Sequence, residues 1–276
     1  MRLITVDGGT EWHEDVDVVC TDAAFAGLAT AISTLAVGGE AFVASADPAG
    51  PATRRGWFGA DVDEPDTTAY FHELTADLDL DGLRRLDDEL PIRLAGAQPS
   101  RGRTAPTFEG ARLRDWAARC IPSPTGYLYT RVTDWPATEM ESADGDPVAV
   151  TEIGELTVSG RDTWAAVGQW LAAEADERGV RTHPVARFER LVFEHGVVVG
   201  AVFGTSDGPL AVRARHGVLV CRAVPPMAPA ASSGTAFRVA LVGKAASRFG
   251  RVELLTADPA GAHRIVPGRA TTPQPH

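Results

Sequence analysis

Between Val16 and Pro48 the chain reads VDVVCTDAAFAGLATAISTLAVGGEAFVASADP, and the order of residue types in this stretch decides the fold. VDVVC is a short apolar run rich in β-branched residues, AGLATAISTLA is built from small residues with leucine and isoleucine between them, and AFVASA is apolar again. Short apolar runs on either side of an Ala-rich segment of helical length predict strand, turn, helix, strand. Small side chains let such a helix lie close on its sheet. The stretch therefore predicts a βαβ unit, with the sharp turn at Thr21 to Ala24.

Further along, residues 49–64 turn to Pro, Gly, Arg and Asp and predict a loop. Thr67 to Ala76 carries a helical pattern in Tyr70, Phe71 and Leu74, Leu83 to Leu90 predicts a second short helix, and Gly110 to Cys120 a third. GYLYTRV, from Gly126, predicts a strand with Tyr127 and Tyr129 on one face. This middle third, residues 60–158, is expected to be an inserted α+β cap between two parts of one nucleotide-binding-like domain, 1–59 and 159–276. Arg161 to Arg178 spaces Trp164, Val167, Leu171 and Ala175 at a period near 3.6, an amphipathic helix. GVRTHPV, ARFERLVFEH, GVVVGAVFGTSDG, PLAVRA and HGVLVC then predict short strands, with turns at His195-Gly196 and Asp207-Gly208: a β-meander and a return strand. AVPPMAPAASSG is a connector, FRVALVG and RVELLT are expected to pair, and the residues from Pro267 have the composition of a disordered tail.

Composition narrows the function classes. A chain of 276 residues, 44% hydrophobic and 23% charged, supports a full core. Its net charge of -11, without a run of cations, argues against a nucleic-acid or anionic-membrane partner. No stretch has the continuous apolar length of a membrane span, and the first residues lack the basic start and apolar run of a secretory signal. Cys20, Cys120 and Cys221 are an odd number, widely spaced and without a CxxC pair, which predicts free thiols in a reducing cytoplasm.

Four segments, in order, carry a resemblance: EWHEDVDVVCTDAAFAGLATAI, DEPDTTAYFHELTADLD, PTFEGARLRDWAARC, and ERGVRTHPVARFERLVFEHGVVVGAVF with the following ARHGVLVC. Together, from about Glu11 to Val220, they resemble the FAD-binding fumarate reductase/succinate dehydrogenase flavoprotein superfamily, especially its 3-ketosteroid dehydrogenase-like members. The resemblance implies an α/β fold with a Rossmann-like FAD-binding domain of the glutathione reductase type, a β-meander and the inserted cap. It also implies FAD as cofactor, held at the turn, at the end of the second strand and at the backbone near Phe188.

The departures bear on that cofactor. In the family the turn is GxGxxG: one glycine for the bend, one for the approach of the pyrophosphate, one for helix packing. Those positions are Asp22, Ala24 and Gly27 here. Asp22 sets a carboxylate where a diphosphate would meet the helix-end N–H groups, and Ala24 adds a methyl at the close approach. Ser45 stands where an acid would hold the ribose hydroxyls, with Asp47 two residues on. The family's loop over the flavin is replaced by AGPATRRGWFG with Arg54 and Arg55, and the turn after the return strand by Cys221-Arg222-Ala223-Val224-Pro225. The closing segment of the family, which bears catalytic tyrosines in the ketosteroid enzymes, has no counterpart here.

Other patterns carry less. DLDLDG, Asp77 to Gly82, begins like an EF-hand loop, but its twelfth position is Asp88 and Arg84 and Arg85 intrude, so a polar turn with Asp81 as N-cap is expected. Tyr127 and Tyr129 match the ketosteroid enzymes in residue type only and read as packing residues. His13, His72 and His195 read as solvated, with no ligand spacing, and Ser232 and Ser233 lack a GxSxG context. Two readings stay open. In one, the chain is a degenerate pseudoenzyme that has weakened or lost FAD and works as a binding or accessory protein for a small-molecule ligand. In the other, it remains an FAD-dependent oxidoreductase on a hydrophobic, steroid-like substrate, completed by a partner subunit. A homodimer or protein partner is expected through the face near Cys221 to Val242, unless the chain's own FRVALVG and RVELLT strands cover it.

Overall fold

The computed structural model describes residues 4–5, 10–46, 62–78, 92–94, 110–132, 137–141, 147–158, 163–221 and 235–257. The expected helix at 83–90, the arginine loop at 49–59, the connector after Cys221, Ser232, Ser233 and the tail from 267 lie outside these residues.

The βαβ unit forms as its residue pattern requires. β3 (Glu14–Cys20) and β4 (Ala41–Ala46) pair in parallel, Cys20 opposite Val43, with α1 (Phe25–Ala36) crossing between them. Gly38, at φ +79°, turns the chain off the end of α1, a conformation in which glycine carries no Cβ penalty. β9 (Thr182–Val185) continues the sheet beside β4, and β12 (Gly208–Cys221) lies beside β3 on the other side, both parallel. The parallel block thus runs β12-β3-β4-β9. β10 (Arg187–Glu194) and β11 (Val197–Thr205) form the meander with the first part of β12. His195 and Gly196, both at positive φ, close the β10–β11 turn, as a tight two-residue hairpin demands.

Two expectations need correction. PLAVRA and HGVLVC are one strand, not two: β12 runs through Arg215-His216-Gly217 with a register shift at Ala214/Gly217, and Gly217 at φ +144° absorbs the irregularity. The fold is also richer in sheet than the expected Rossmann-like domain with a separate α+β cap implies. Past β12 come β6 (Gly126–Tyr129), β14 (Phe249–Thr256), β13 (Thr235–Gly243), β8 (Pro147–Val158) and β7 (Thr138–Glu141), each antiparallel to its neighbour, while β5 (Ile92–Leu94) pairs in parallel with β14. The result is one mixed sheet of twelve strands, and β6, β7 and β8 from the middle third belong to it. A short β1 (Ile4–Thr5) and β2 (Glu11–Trp12) pair separately.

Both faces of the sheet are covered. On one, Ala29 and Ile32 of α1 and Trp164, Val167 and Leu171 of α4 (Thr163–Glu177) pack with Val18, Val43, Leu219, Val239 and Leu254. On the other, Phe71 of α2 (Pro65–Leu74), Trp116 of α3 (Gly110–Cys120) and Leu191 and Phe203 of the meander pack with Val19, Phe42, Val218 and Val220. α2 is tied down through Thr67, whose hydroxyl accepts from the Leu191 N–H at 2.9 Å while Glu64 caps the helix by accepting from the Asp66 and Thr67 N–H groups. The FRVALVG and RVELLT residues pair as expected, and Val239, Leu241, Val252 and Leu254 are buried by the chain itself.

Candidate functional site

The C-terminal ends of the parallel strands meet at the β3–α1 turn. The Thr21 N–H donates to the Leu219 carbonyl at 3.0 Å, and the Thr21 hydroxyl accepts from the Cys221 N–H at 3.2 Å, so the turn is clamped to β12. Asp22 then brings its carbonyl oxygen against the first turn of α1. A Cβ at Gly27 would stand 1.9 Å from that oxygen, so only glycine admits this packing. The Cys221 thiol donates to the same carbonyl at 3.5 Å. The contact between Thr21 and Cys221 escaped the sequence reading; its signal was a hydroxyl residue directly after one strand and a cysteine ending the other.

The same turn sets out the chemistry of the helix start. Ala24 is the N-cap in extended conformation and offers no side-chain acceptor, leaving the first N–H groups of α1 to other partners. An anion would suit them. The chain supplies one itself: the Asp22 carboxyl lies against the Ala24 N–H. Burial pushes its pKa up to about 6, and the Ala24 N–H acts the other way. Among the described residues no arginine or lysine is paired with it. At neutral pH Asp22 is thus a half-buried carboxylate beside the helix-start N–H groups, without a cation to offset a second anion there.

The remaining expected positions are not drawn to the turn. Ser45 lies near the end of β4, opposite Pro184 of β9, on the same edge of the sheet but with a neutral hydroxyl. Asp47, Arg54 and Arg55 lie outside the described residues. Phe188 stands in β10 opposite Phe203, its ring 5.9 Å from that ring, and Phe203 in turn packs on Phe42 at 5.2 Å. That cluster belongs to the meander face, opposite α1. The thiols of Cys20, Cys120 and Cys221 are buried and pushed well up by desolvation, so none is a thiolate at neutral pH.

Tyr127 and Tyr129 share one face of β6, as expected. Tyr129 lies against Gly217, and Tyr127 over Gly250, where a Cβ would come within 2.4 Å of the phenol. Burial raises both phenol pKa values, so neither exchanges a proton near neutral pH. His13 accepts from the Ala211 N–H at 3.1 Å, a structural contact that joins the β2–β3 junction to β12. Among the described residues no three His, Cys, Asp or Glu side chains gather as a metal site, and no helix is long and apolar enough to cross a membrane.

No protein-family model matches the chain, and no curated protein matches it. Solved structures give weak likenesses. The 3-ketosteroid-Δ4-(5α)-dehydrogenase of Rhodococcus jostii RHA1, in complex with 4-androstene-3,17-dione, is 19% identical with a TM-score of 0.35, over 80% of this chain and 48% of its own. A flavocytochrome c3 fumarate reductase in an open conformation is 16% identical with a TM-score of 0.30, over 74% of this chain and 33% of its own. The myxobacterial chondrochloren halogenase CndH, an FAD-dependent halogenase, is 14% identical with a TM-score of 0.28, over 73% and 36%. This chain spans half or less of each of them. Likeness at this level does not carry their cofactor or reaction over to this chain.

Proposed function

We propose that the chain is a degenerate relative of FAD-dependent oxidoreductases, working as a non-catalytic binding or accessory protein whose β3–α1 turn no longer accepts a flavin pyrophosphate. One observation carries the reading: the Asp22 carboxyl, half-buried and ionised at neutral pH, stands against the helix-start N–H that a phosphate would need. A second anion there meets both repulsion and the desolvation of a charge without a cation. Gly27 is retained for packing, since the Asp22 carbonyl fills the space where its Cβ would be. The strand order β12-β3-β4-β9, with the meander feeding β12, supports descent from a dinucleotide-binding arrangement. In this proposal residues 1–59 and 159–276 are the nucleotide-binding-like part and 60–158 the insertion, although β6, β7 and β8 share its sheet. Asp22, Ala24, Gly27, Ser45 and Phe188 are then inherited positions without a cofactor to hold.

The test is the visible spectrum of the freshly purified protein and of its denatured supernatant. The proposal expects no flavin band in either. Flavin at one equivalent per chain, released on denaturation, would overturn it.

A further inference from the structure

The edge of β14 that faces away from β13 is shared by two strands. β6 takes the Phe249–Arg251 stretch, and just beyond it the Val252 N–H donates to the Thr125 carbonyl at 3.1 Å. β5 takes the rest, with Ile92, Arg93 and Leu94 lying parallel to Leu254, Leu255 and Thr256. The two strands are held differently. β6 is also paired with β12, whereas β5 has three residues and, among the described residues, pairs with β14 alone. A parallel ladder of that length contributes little by itself.

One side chain fastens β5 to the sheet. Arg93 donates through Nε and a terminal nitrogen to both oxygens of Glu253, at 2.5 and 2.9 Å. Were Arg93 the only cation there, its departure would leave a bare charge on a carboxylate that is 1% exposed. Arg251, however, also donates to Glu253, at 2.8 Å, and it is positioned without help from β5: its guanidinium lies over the Trp116 ring at 5.5 Å, and the Trp116 indole N–H donates to the Phe249 carbonyl at 2.8 Å. When Arg93 leaves, Glu253 keeps a counter-charge. Leu254 and Leu255 keep their places in the cores on the two faces, and no other described strand loses a neighbour.

We propose that β5 is a releasable strap, and that the edge of β14 beneath it is a docking site for an extended peptide that presents one arginine to Glu253. The present occupant supplies the chemistry of its replacement. An extended segment restores the main-chain hydrogen bonds along Leu254–Thr256, and its arginine restores the bidentate pair with Glu253. A lysine suits the place less well, because its ammonium cannot offer two parallel N–H groups. While β5 is in place the edge is closed to other chains, which is how a sheet protects an unpaired strand. The proposal belongs to the antiparallel half of the sheet and does not rest on the flavin reading.

The experiment is native-state hydrogen exchange of the full chain, read by NMR at a series of urea concentrations below the unfolding transition. In the unmodified protein the amides of Leu254–Thr256 directed at β5 should exchange about 100-fold or more faster than those of Val239 to Leu241, which lie between β8 and β14, and with little dependence on urea, as a local opening requires. This arm carries the test even if a variant does not fold. Arg93→Met should speed exchange at Leu254–Thr256 by about tenfold more and leave Val239 to Leu241 unchanged. A synthetic peptide with the sequence of residues 90–96, added in large excess to Arg93→Met, should restore the protection, and the same peptide with methionine for its arginine should not. Exchange at Leu254–Thr256 that follows global unfolding in the unmodified chain would make β5 a fixed strand and overturn the strap. Protection restored by both peptides or by neither would overturn the docking site.

Discussion

The two halves of the sheet each hold a carboxylate away from bulk water, and they treat it in opposite ways. In the antiparallel half Glu253 of β14 is 1% exposed, yet Arg93 donates to it at 2.5 and 2.9 Å and Arg251 at 2.8 Å. Burial alone would raise its pKa; the two guanidinium groups outweigh that and hold it below the usual value. In the parallel half Asp22 is less buried but has only a backbone N–H, and its pKa goes up. A buried charge that is fully paired is part of the scaffold; one kept near a helix start without a cation changes what that helix end can bind. The sequence reading singled out Asp22 and passed over Glu253, and the physics separates their roles.

The strongest break in this comparison is steric. In an ordinary helix interior Gly→Ala gains about 1 kcal/mol of propensity. At Gly27 the new Cβ would stand 1.9 Å from the Asp22 carbonyl, and at Gly126, in the other half, equally close to the Cys120 carbonyl. Neither obstacle is a side chain that can swing aside. Gly27→Ala and Gly126→Ala should each lose about 3 kcal/mol or more in urea unfolding, against the propensity gain at Gly27. A neutral or stabilised Gly27→Ala protein would mean that the turn is looser than described.

Next in size is Glu253→Gln, which leaves two arginines facing a neutral amide and should cost about 3 kcal/mol. Its pH signature follows from a lowered folded pKa. The Glu253 contribution is present above the unfolded carboxyl pKa, about 4.3, and is lost as pH falls through the folded value. Wild-type protein should therefore lose more stability than Glu253→Gln on acidification below about pH 4. Parallel pH curves for the two would sink this assignment.

Asp22 runs the other way. Its folded pKa of about 6 lies above that of an unfolded aspartate, so its ionisation opposes folding: the penalty is absent below about pH 4 and complete above pH 6. Asp22→Asn keeps an acceptor for the Ala24 N–H and should stabilise the protein at neutral pH by about 1–2 kcal/mol, after allowance for partial exposure, with little effect at pH 4. Chemical denaturation of both proteins at the two pH values checks it. A destabilised Asp22→Asn would place a cation beside Asp22.

The two halves also differ in how much the sequence discloses. β3, α1 and β4 are neighbours in sequence as well as in space, and Val18 to Cys20 and Phe42 to Ala44 are buried on both faces, so their short apolar runs announce them. α4 was legible from the spacing of Trp164, Val167 and Leu171. The antiparallel half depends on distant partners. PVAVTEIGELTV alternates as a strand should at Val148 and Val150, but an irregularity opposite Val239/Ala240 breaks the alternation at Ile153, and β8 went unread. That β6 would enter between β12 and β14 has no local signature at all. At the candidate site Asp22 and Ala24 were legible because they stand where the resembled motif has glycines, and Gly27 because it keeps the third. The Thr21 and Cys221 clamp was not, because it joins residues two hundred positions apart.

The central claim is that the β3–α1 turn rejects a pyrophosphate because of Asp22 and Ala24, and calorimetric titration with FAD of the unmodified chain, Asp22→Asn, and Asp22→Gly with Ala24→Gly tests it most directly. The account predicts no saturable binding by the unmodified chain in the micromolar range at neutral pH, weak binding that improves as the pH drops below about 6 and Asp22 loses its charge, and the tightest binding by the double glycine variant. Micromolar or tighter binding by the unmodified chain, unchanged by the substitutions and by pH, would contradict it.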